Sequence, residues 1–184
     1  LYPRFVDGFV AHARTLKLGP GADPDTQLGP LSHAGRVADM ERFVADAREH
    51  GARIACGGSR APRGGFFFEP TVISGAKPEM RFMKEEIFGP VAPVFKFTSE
   101  EEGVALANDT EYGLSGSIWT RDGGRALRVA RAIDTGVLSI NSNSSVRVST
   151  PFGGFKQSGI GRELGPDALD HYTEVKNVFY STEV

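Results

Sequence analysis

The sequence predicts an α/β fold, a largely parallel sheet with flanking helices. Stretches with helical apolar spacing alternate with short apolar runs through most of the chain. Gly- and Pro-rich stretches punctuate them, and no internal repeat or low-complexity tract interrupts the pattern.

The first element is a helix from Leu1 to Leu18. Phe5, Phe9, Ala13 and Leu16, with Val6 and Val10, recur at helical spacing, and Gly19, Pro20 and Gly21 stop it. "GPGADPDTQLGPL" then reads as a loop, and Ser32 is the expected cap of a second helix. That helix carries one apolar stripe, Val37, Met40, Phe43, Val44 and Ala47, and ends at Gly51. "ARIAC" and "FFFEPTVI" read as strands, although Pro70 speaks against a central place throughout the second.

Residues 77–90 read as irregular with one helical turn. A strand from Val91 to Phe97 places Val91, Phe95 and Phe97 on one face. Glu100 to Asn108 forms a short helix whose acidic first turn suits the positive end of its dipole. "LSGSIWT" is a strand, and Asp122 to Ile133 is a helix with Leu127, Val129, Ala130 and Ile133 inward and Gly136 at its end. "VLSIN" follows as a strand. Ser142 to Gly154 is a long loop of a kind that often carries function. A short helix near residues 161–169 and a closing strand, "TEVKNVFYS", complete the chain. The expected boundary lies near Lys156, giving an α/β domain over 1–156 and a terminal helix and strand over 157–184.

Composition narrows the partners. The 21 basic and 23 acidic residues leave a net charge of -2, with no basic cluster to attract nucleic acid. No apolar run approaches the roughly 20 residues that cross a bilayer, so no membrane association is expected. The single cysteine, Cys56, excludes an internal disulfide and fits a reducing, cytoplasmic setting. The first residue is Leu1 rather than Met, which points to a piece of a longer protein.

Several chemical readings fail on spacing. Cys56 ends an apolar strand before a Gly-Gly turn and has no base beside it, so it reads as a buried structural thiol. His12, His33, His50 and His171 are scattered and do not have the spacing of metal ligands. "DPDTQLG" hints at a calcium loop, but Ala34 stands where that loop needs its last Glu. "GIGRELG" has its third glycine one position late for a dinucleotide fingerprint, and it follows a loop rather than a strand.

Two blocks carry more weight: "EEIFGPV" at Glu85 to Val91 and "PFGGFKQSGIGRELG" at Pro151 to Gly165. With "GPGADPDTQLGPL", "CGGSRAPRGGFFFEPTV", "ANDTEYGLSGSIWTRD" and "GVLSIN" in the same order, the chain resembles the C-terminal part of the aldehyde dehydrogenase superfamily. The resemblance covers effectively the whole chain. It implies most of a catalytic domain plus a terminal oligomerisation strand, and oxidation of an aldehyde to a carboxylate with NAD or NADP through a thiohemiacetal and a thioester.

The resemblance also assigns residues. Glu86 corresponds to the residue that binds the nicotinamide ribose hydroxyls, and Phe88 to the aromatic packed beside the nicotinamide ring. Spacing alone reads Glu86 as a solvated turn residue and Phe88 as a core anchor; the resemblance reverses that preference. Glu85 has only a structural role. The Ser142 to Phe152 loop corresponds to the substrate mouth, with Val146 and Arg147 in it and Phe152 on the tunnel wall. Val146 stands where many relatives place an aromatic residue, which speaks against an aromatic substrate box. Arg147 reads either as a solvent-exposed cation or as a selector for aldehydes bearing a carboxylate. Thr173 to Ser181 corresponds to the strand that joins a neighbouring subunit, implying a homo-oligomer.

The nucleophilic Cys, its Glu base, the oxyanion Asn and the dinucleotide domain all precede, in family order, the segment matched by Leu1. The 184-residue chain alone is therefore expected to be inactive and to need the N-terminal half of the enzyme. The alternatives are a non-catalytic oligomerisation module and a fragment that complements a separate half.

Overall fold

The computed structural model describes residues 1–183. Contacts divide the chain into two compact units, Leu1–Ser99 and the residues from Glu100 onward. The boundary expected near Lys156 falls inside the second. Both units combine helices and strands, an α/β arrangement.

In the first unit, α1 spans Tyr2–Ala13, with a proline in its first turn where the missing N–H costs nothing. Its inward stripe is Tyr2, Val6, Phe9, Val10 and Ala13. Phe5 lies off that stripe and is 59% exposed, and Leu16 lies past the helix end, so neither joins the face expected of them. α2 spans Ala34–Glu49, and its stripe of Val37, Met40, Phe43, Val44 and Ala47 is buried throughout. Its N-cap is His33, in extended backbone and without a side-chain cap bond. Ser32, the expected cap, sits one residue too early.

Strands β1 (Arg53–Cys56), β2 (Thr71–Ser74) and β3 (Val91–Val94) form one sheet with β2 in the middle. β1 pairs antiparallel with β2, and β2 pairs parallel with β3. Side-chain alternation then splits the core. Val72, Cys56 and Val94 pack with α1, whereas Ile73 and Val91 pack with Met40, Phe43 and Val44 of α2. Pro70 precedes β2 and so removes no ladder bond from it, and Pro93 lies in the edge strand β3, where a missing N–H is tolerated. Only the end of "FFFEPTVI" is strand. Phe68 is buried with α2, while Phe66 is 44% exposed. Phe95 packs on the core and Phe97, past the strand end, is 58% exposed. A 3-10 turn at Arg81–Met83 supplies the single helical turn expected between β2 and β3.

The second unit opens with α3 (Glu100–Asn108), followed by β4 (Tyr112–Gly113), β5 (Ser115–Ile118), α4 (Gly123–Ala132) and β6 (Val137–Ile140). β5 and β6 run parallel with α4 as the crossover. Asp122 caps α4 by accepting a hydrogen bond from the Arg125 amide at 2.9 Å. The inward face of α4 is Ala126 with Val129, Ala130 and Ile133 half-buried; Leu127 is 56% exposed, against expectation, because it lies one residue round from Ala126. The helix ends at Ala132, where Asn108 closes it by donating to the Ala132 carbonyl and accepting from the Asp134 amide, each at 2.8 Å. Gly136 therefore does not end the helix. It is glycine because a Cβ there would stand 1.7 Å from the Gly153 carbonyl oxygen.

β7 (Phe155–Lys156) pairs antiparallel with β4. The helix expected near residues 161–169 is a 3-10 helix at Pro166–His171. Among the described residues, the segment expected to form a closing strand pairs with no other strand. Its Val175, Val178, Phe179 and Tyr180 are all at least 78% exposed. Among the described residues, no helix is long and apolar enough to cross a membrane, and no group of three His, Cys, Asp or Glu stands ready for a metal ion.

Candidate functional site

In the first unit, the segment from Glu85 to Pro90 joins the 3-10 turn to β3 and is held at both ends. Glu85 pairs with Arg81 at 2.8 Å, and the Arg81 amide donates to Asp46 of α2 at 2.9 Å. At the other end Gly89 rests on Met40, and the Pro90 carbonyl accepts from the Thr71 amide at 2.8 Å. Between these anchors, Arg36 of α2 donates through Nη2 to the carbonyl of Ile87 and, at 3.5 Å, to that of Glu86. Arg36 is itself paired through Nη1 with Asp39 at 2.7 Å, and Asp39 also pairs with Arg42.

The held loop displays two side chains. Glu86 is exposed, and its carboxylate has no hydrogen-bond or ion-pair partner among the described residues. Phe88 is 75% exposed and sits at φ 42°, a backbone region that side-chain-bearing residues rarely adopt. Phe88 is therefore not the core anchor that spacing alone suggests. Below the loop, Arg36, Asp39, Arg42, Arg81, Glu85 and Glu86 line a polar cleft of about 260 Å³.

Arg36 and Asp39 are the residues sequence reasoning missed. Their i,i+3 spacing on α2 is visible in the sequence, but it reads as an ordinary surface ion pair. The contact of Arg36 with carbonyls some 50 residues away carries no sequence signal.

Cys56 is 9% exposed, and its thiol points at the Pro70 carbonyl oxygen, 3.6 Å away. It lies on the α1 side of the sheet, packed with Val72 and Val94, whereas the Glu86 loop is held by α2.

In the second unit the long loop places the other candidates apart. Val146 is 55% exposed, and Arg147 donates to the Ser144 hydroxyl and the Val146 carbonyl, each at 3.2 Å. No carboxylate pairs with Arg147 among the described residues. Phe152 is half-buried and exchanges two backbone hydrogen bonds of 2.7 Å with Glu163. It lines a hollow of about 810 Å³ together with Val148, Leu169 and Tyr172, and neither Val146 nor Arg147 belongs to that hollow. Arg162 donates to the Gly154 carbonyl at 3.0 Å and lies over the Phe155 ring.

Known proteins share this architecture. The chain is 42% identical, over an alignment of 187 positions, to betaine aldehyde dehydrogenase of Bacillus subtilis (strain 168), taking in 100% of this chain and 38% of that protein. It is 40% identical to the NADP(+) succinate-semialdehyde dehydrogenase GabD of Escherichia coli (strain K12), taking in 96% of this chain and 36% of that one. Among solved structures, succinate-semialdehyde dehydrogenase from Burkholderia pseudomallei superposes with a TM-score of 0.90 at 47% identity, over 93% of this chain and 36% of that one. Mycobacterium tuberculosis aldehyde dehydrogenase, complexed with NAD+, superposes with a TM-score of 0.90 at 39% identity, over 100% of this chain and 38% of that one. The chain thus spans less than two fifths of the length of these relatives. The model of the aldehyde dehydrogenase family matches residues 1–178, and the chain belongs to that family.

Proposed function

We propose that these residues form the nicotinamide-facing and substrate-facing part of an NAD(P)-dependent enzyme that oxidises an aldehyde to a carboxylate. One observation carries the reading. In a chain of this family, a loop fixed at both ends holds an unpaired carboxylate, Glu86, and an exposed aromatic ring, Phe88, toward solvent.

These groups fit a nicotinamide riboside. An ionised carboxylate accepts two hydrogen bonds from a ribose diol, and a flat ring packs beside a flat heterocycle. The positive φ of Phe88 supports the same fit, since strained backbone collects where a side chain must be presented rather than buried. The bound cofactor supplies the hydride acceptor. The residues of this chain bind and orient it: Glu86 fixes the ribose and Phe88 limits the tilt of the ring. Neither moves a proton.

On the substrate side, Phe152 walls the approach and Val146 and Arg147 sit on the mouth loop. An unpaired guanidinium there suits an aldehyde that carries a carboxylate, as succinate semialdehyde does. Cys56 has no part in the chemistry, being buried behind the sheet. The thiolate nucleophile, its carboxylate base and the oxyanion-binding Asn are assigned to the N-terminal half of the complete enzyme. On this reading the 184 residues alone do not turn over, and they bind NAD or NADP weakly, since one carboxylate and one ring do not offset the cost of association.

The exposed apolar side chains of Val175, Val178, Phe179 and Tyr180 support a homo-oligomeric role for Thr173 to Ser181, as an added strand on a neighbouring subunit. A free thiol without a disulfide partner fits the cytoplasm.

The test is aldehyde-dependent reduction of NAD or NADP by the complete gene product and by residues 1–184 alone. Activity in the first and none in the second supports the reading. A complete product that oxidises no aldehyde with either nucleotide overturns it.

A further inference from the structure

We infer that Arg36 is a positioning residue for the Glu86 carboxylate, gripping the loop by its backbone while Asp39 aims the guanidinium. The inference rests on the reading of Glu86 as the ribose-binding group. It assigns to α2 a part in cofactor binding that involves no contact with the cofactor itself.

Glu85 is tied to Arg81 and Gly89 rests on Met40, so residues 86–88 form a short span between two anchors. A span of that kind still has freedom to rotate its peptide units, and the direction of the Glu86 side chain follows them. Arg36 Nη2 meets the two carbonyls, of Glu86 and Ile87, that set those units. Both carbonyls are reached from the one nitrogen Nη2 while Nη1 holds Asp39, so the planar guanidinium links α2 to the loop in one fixed direction, which a single ammonium cannot do from both ends. Its own direction is set by Asp39, at 2.7 Å from Nη1, and the two side chains are only 22% and 19% exposed, so solvent screens the pair less than a surface one.

Two further features mark placement rather than stability. Among the described residues, Arg36 Nε is buried without a hydrogen-bond partner. A buried donor left unsatisfied costs stability, and such groups call for another explanation. Next along the loop, Phe88 is held at positive φ, a conformation that persists only where its surroundings over-determine it. The Arg36 contact to the preceding carbonyl lies on one side of it and the packing of Gly89 on Met40 on the other.

The experiment is steady-state kinetics of the complete enzyme with Glu86→Gln, Arg36→Ala, their double variant, and Arg36→Lys. Losing a hydrogen bond to a charged group corresponds to about tenfold in binding. Glu86→Gln is expected to raise the KM for the dinucleotide by about tenfold, with the KM for aldehyde little changed. Arg36→Ala is expected to raise the same KM by about fivefold, and Arg36→Lys to recover part of it. Because both act through one contact, the double variant is expected to match Glu86→Gln alone. A dinucleotide KM that rises in Glu86→Gln but stays at the wild-type value in Arg36→Ala overturns the inference and leaves the Glu86 reading standing. An unchanged KM in Glu86→Gln overturns both. Should Arg36→Ala not fold, Asp39→Asn keeps the guanidinium and loosens its aim. A rise of about two- to threefold in dinucleotide KM supports the inference there, and no rise overturns it.

Discussion

Gly89 stands so close to Met40 that a Cβ on it would lie 2.4 Å from the Met40 sulfur. Met40 is fully buried, so its side chain has little room to yield. Gly89→Ala is expected to destabilise the first unit by about 1–3 kcal/mol, the usual cost of overpacking. Met40→Ala is expected to cost less in that background than in the wild type, because it opens the space the new methyl needs. Urea denaturation of the four proteins measures both, and additive effects would contradict the contact.

The three consecutive phenylalanines differ sharply in burial. Phe68 is 2% exposed and packs under α2, while Phe66 is 44% exposed. Phe68→Ala is expected to cost about 3–5 kcal/mol, and Phe66→Ala about 0.5 kcal/mol or less. Denaturant midpoints separate the two, and equal losses would contradict the packing.

Acid is expected to loosen the second unit through Glu100 and Asp122. Hydrogen bonds from Arg128 and then Arg125 hold the Glu100 carboxyl below its ordinary value of 4.5, against partial burial, and the Arg125 amide holds Asp122 below 3.8. Both pKa values are depressed on folding, so their contribution is complete above the ordinary values and is lost as pH falls through the lowered ones. The protection of α3 and α4 amides relative to their intrinsic exchange rates should fall below pH 4.5, and Glu100→Gln should flatten that dependence. A pH dependence identical in Glu100→Gln and wild type would contradict it.

Arg147 bears on substrate choice. An exposed cation facing a carboxylate is worth about a three- to fivefold preference. Arg147→Ala in the complete enzyme is expected to reduce kcat/KM for a carboxylate-bearing aldehyde by that factor relative to a neutral one. An unchanged ratio would mean that the guanidinium only faces solvent.

Much of the fold is legible in the sequence where periodicity is strong. The stripe of α2 from Val37 to Ala47 is buried throughout, and Glu100–Asn108 is helix as its pattern predicts. Legibility fails where one residue of phase matters. Phe5 and Leu127 are apolar and sit on helices, yet each lies just off the packed stripe, which composition does not reveal. It fails again where backbone meets backbone. Gly136 resembles a helix stop, but its reason is the Gly153 carbonyl, which no local pattern predicts. At the candidate site the same division holds. Glu86 and Phe88 stand out through a family motif, whereas Arg36 and Asp39 matter only through a contact made across the fold.

The dinucleotide KM of the complete enzyme carrying Glu86→Gln tests the central claim most directly. The account predicts a rise of about tenfold, with the aldehyde KM little changed and the fold intact by circular dichroism. A dinucleotide KM equal to that of the wild type would contradict it, because the Glu86 carboxylate would then not be what holds the ribose.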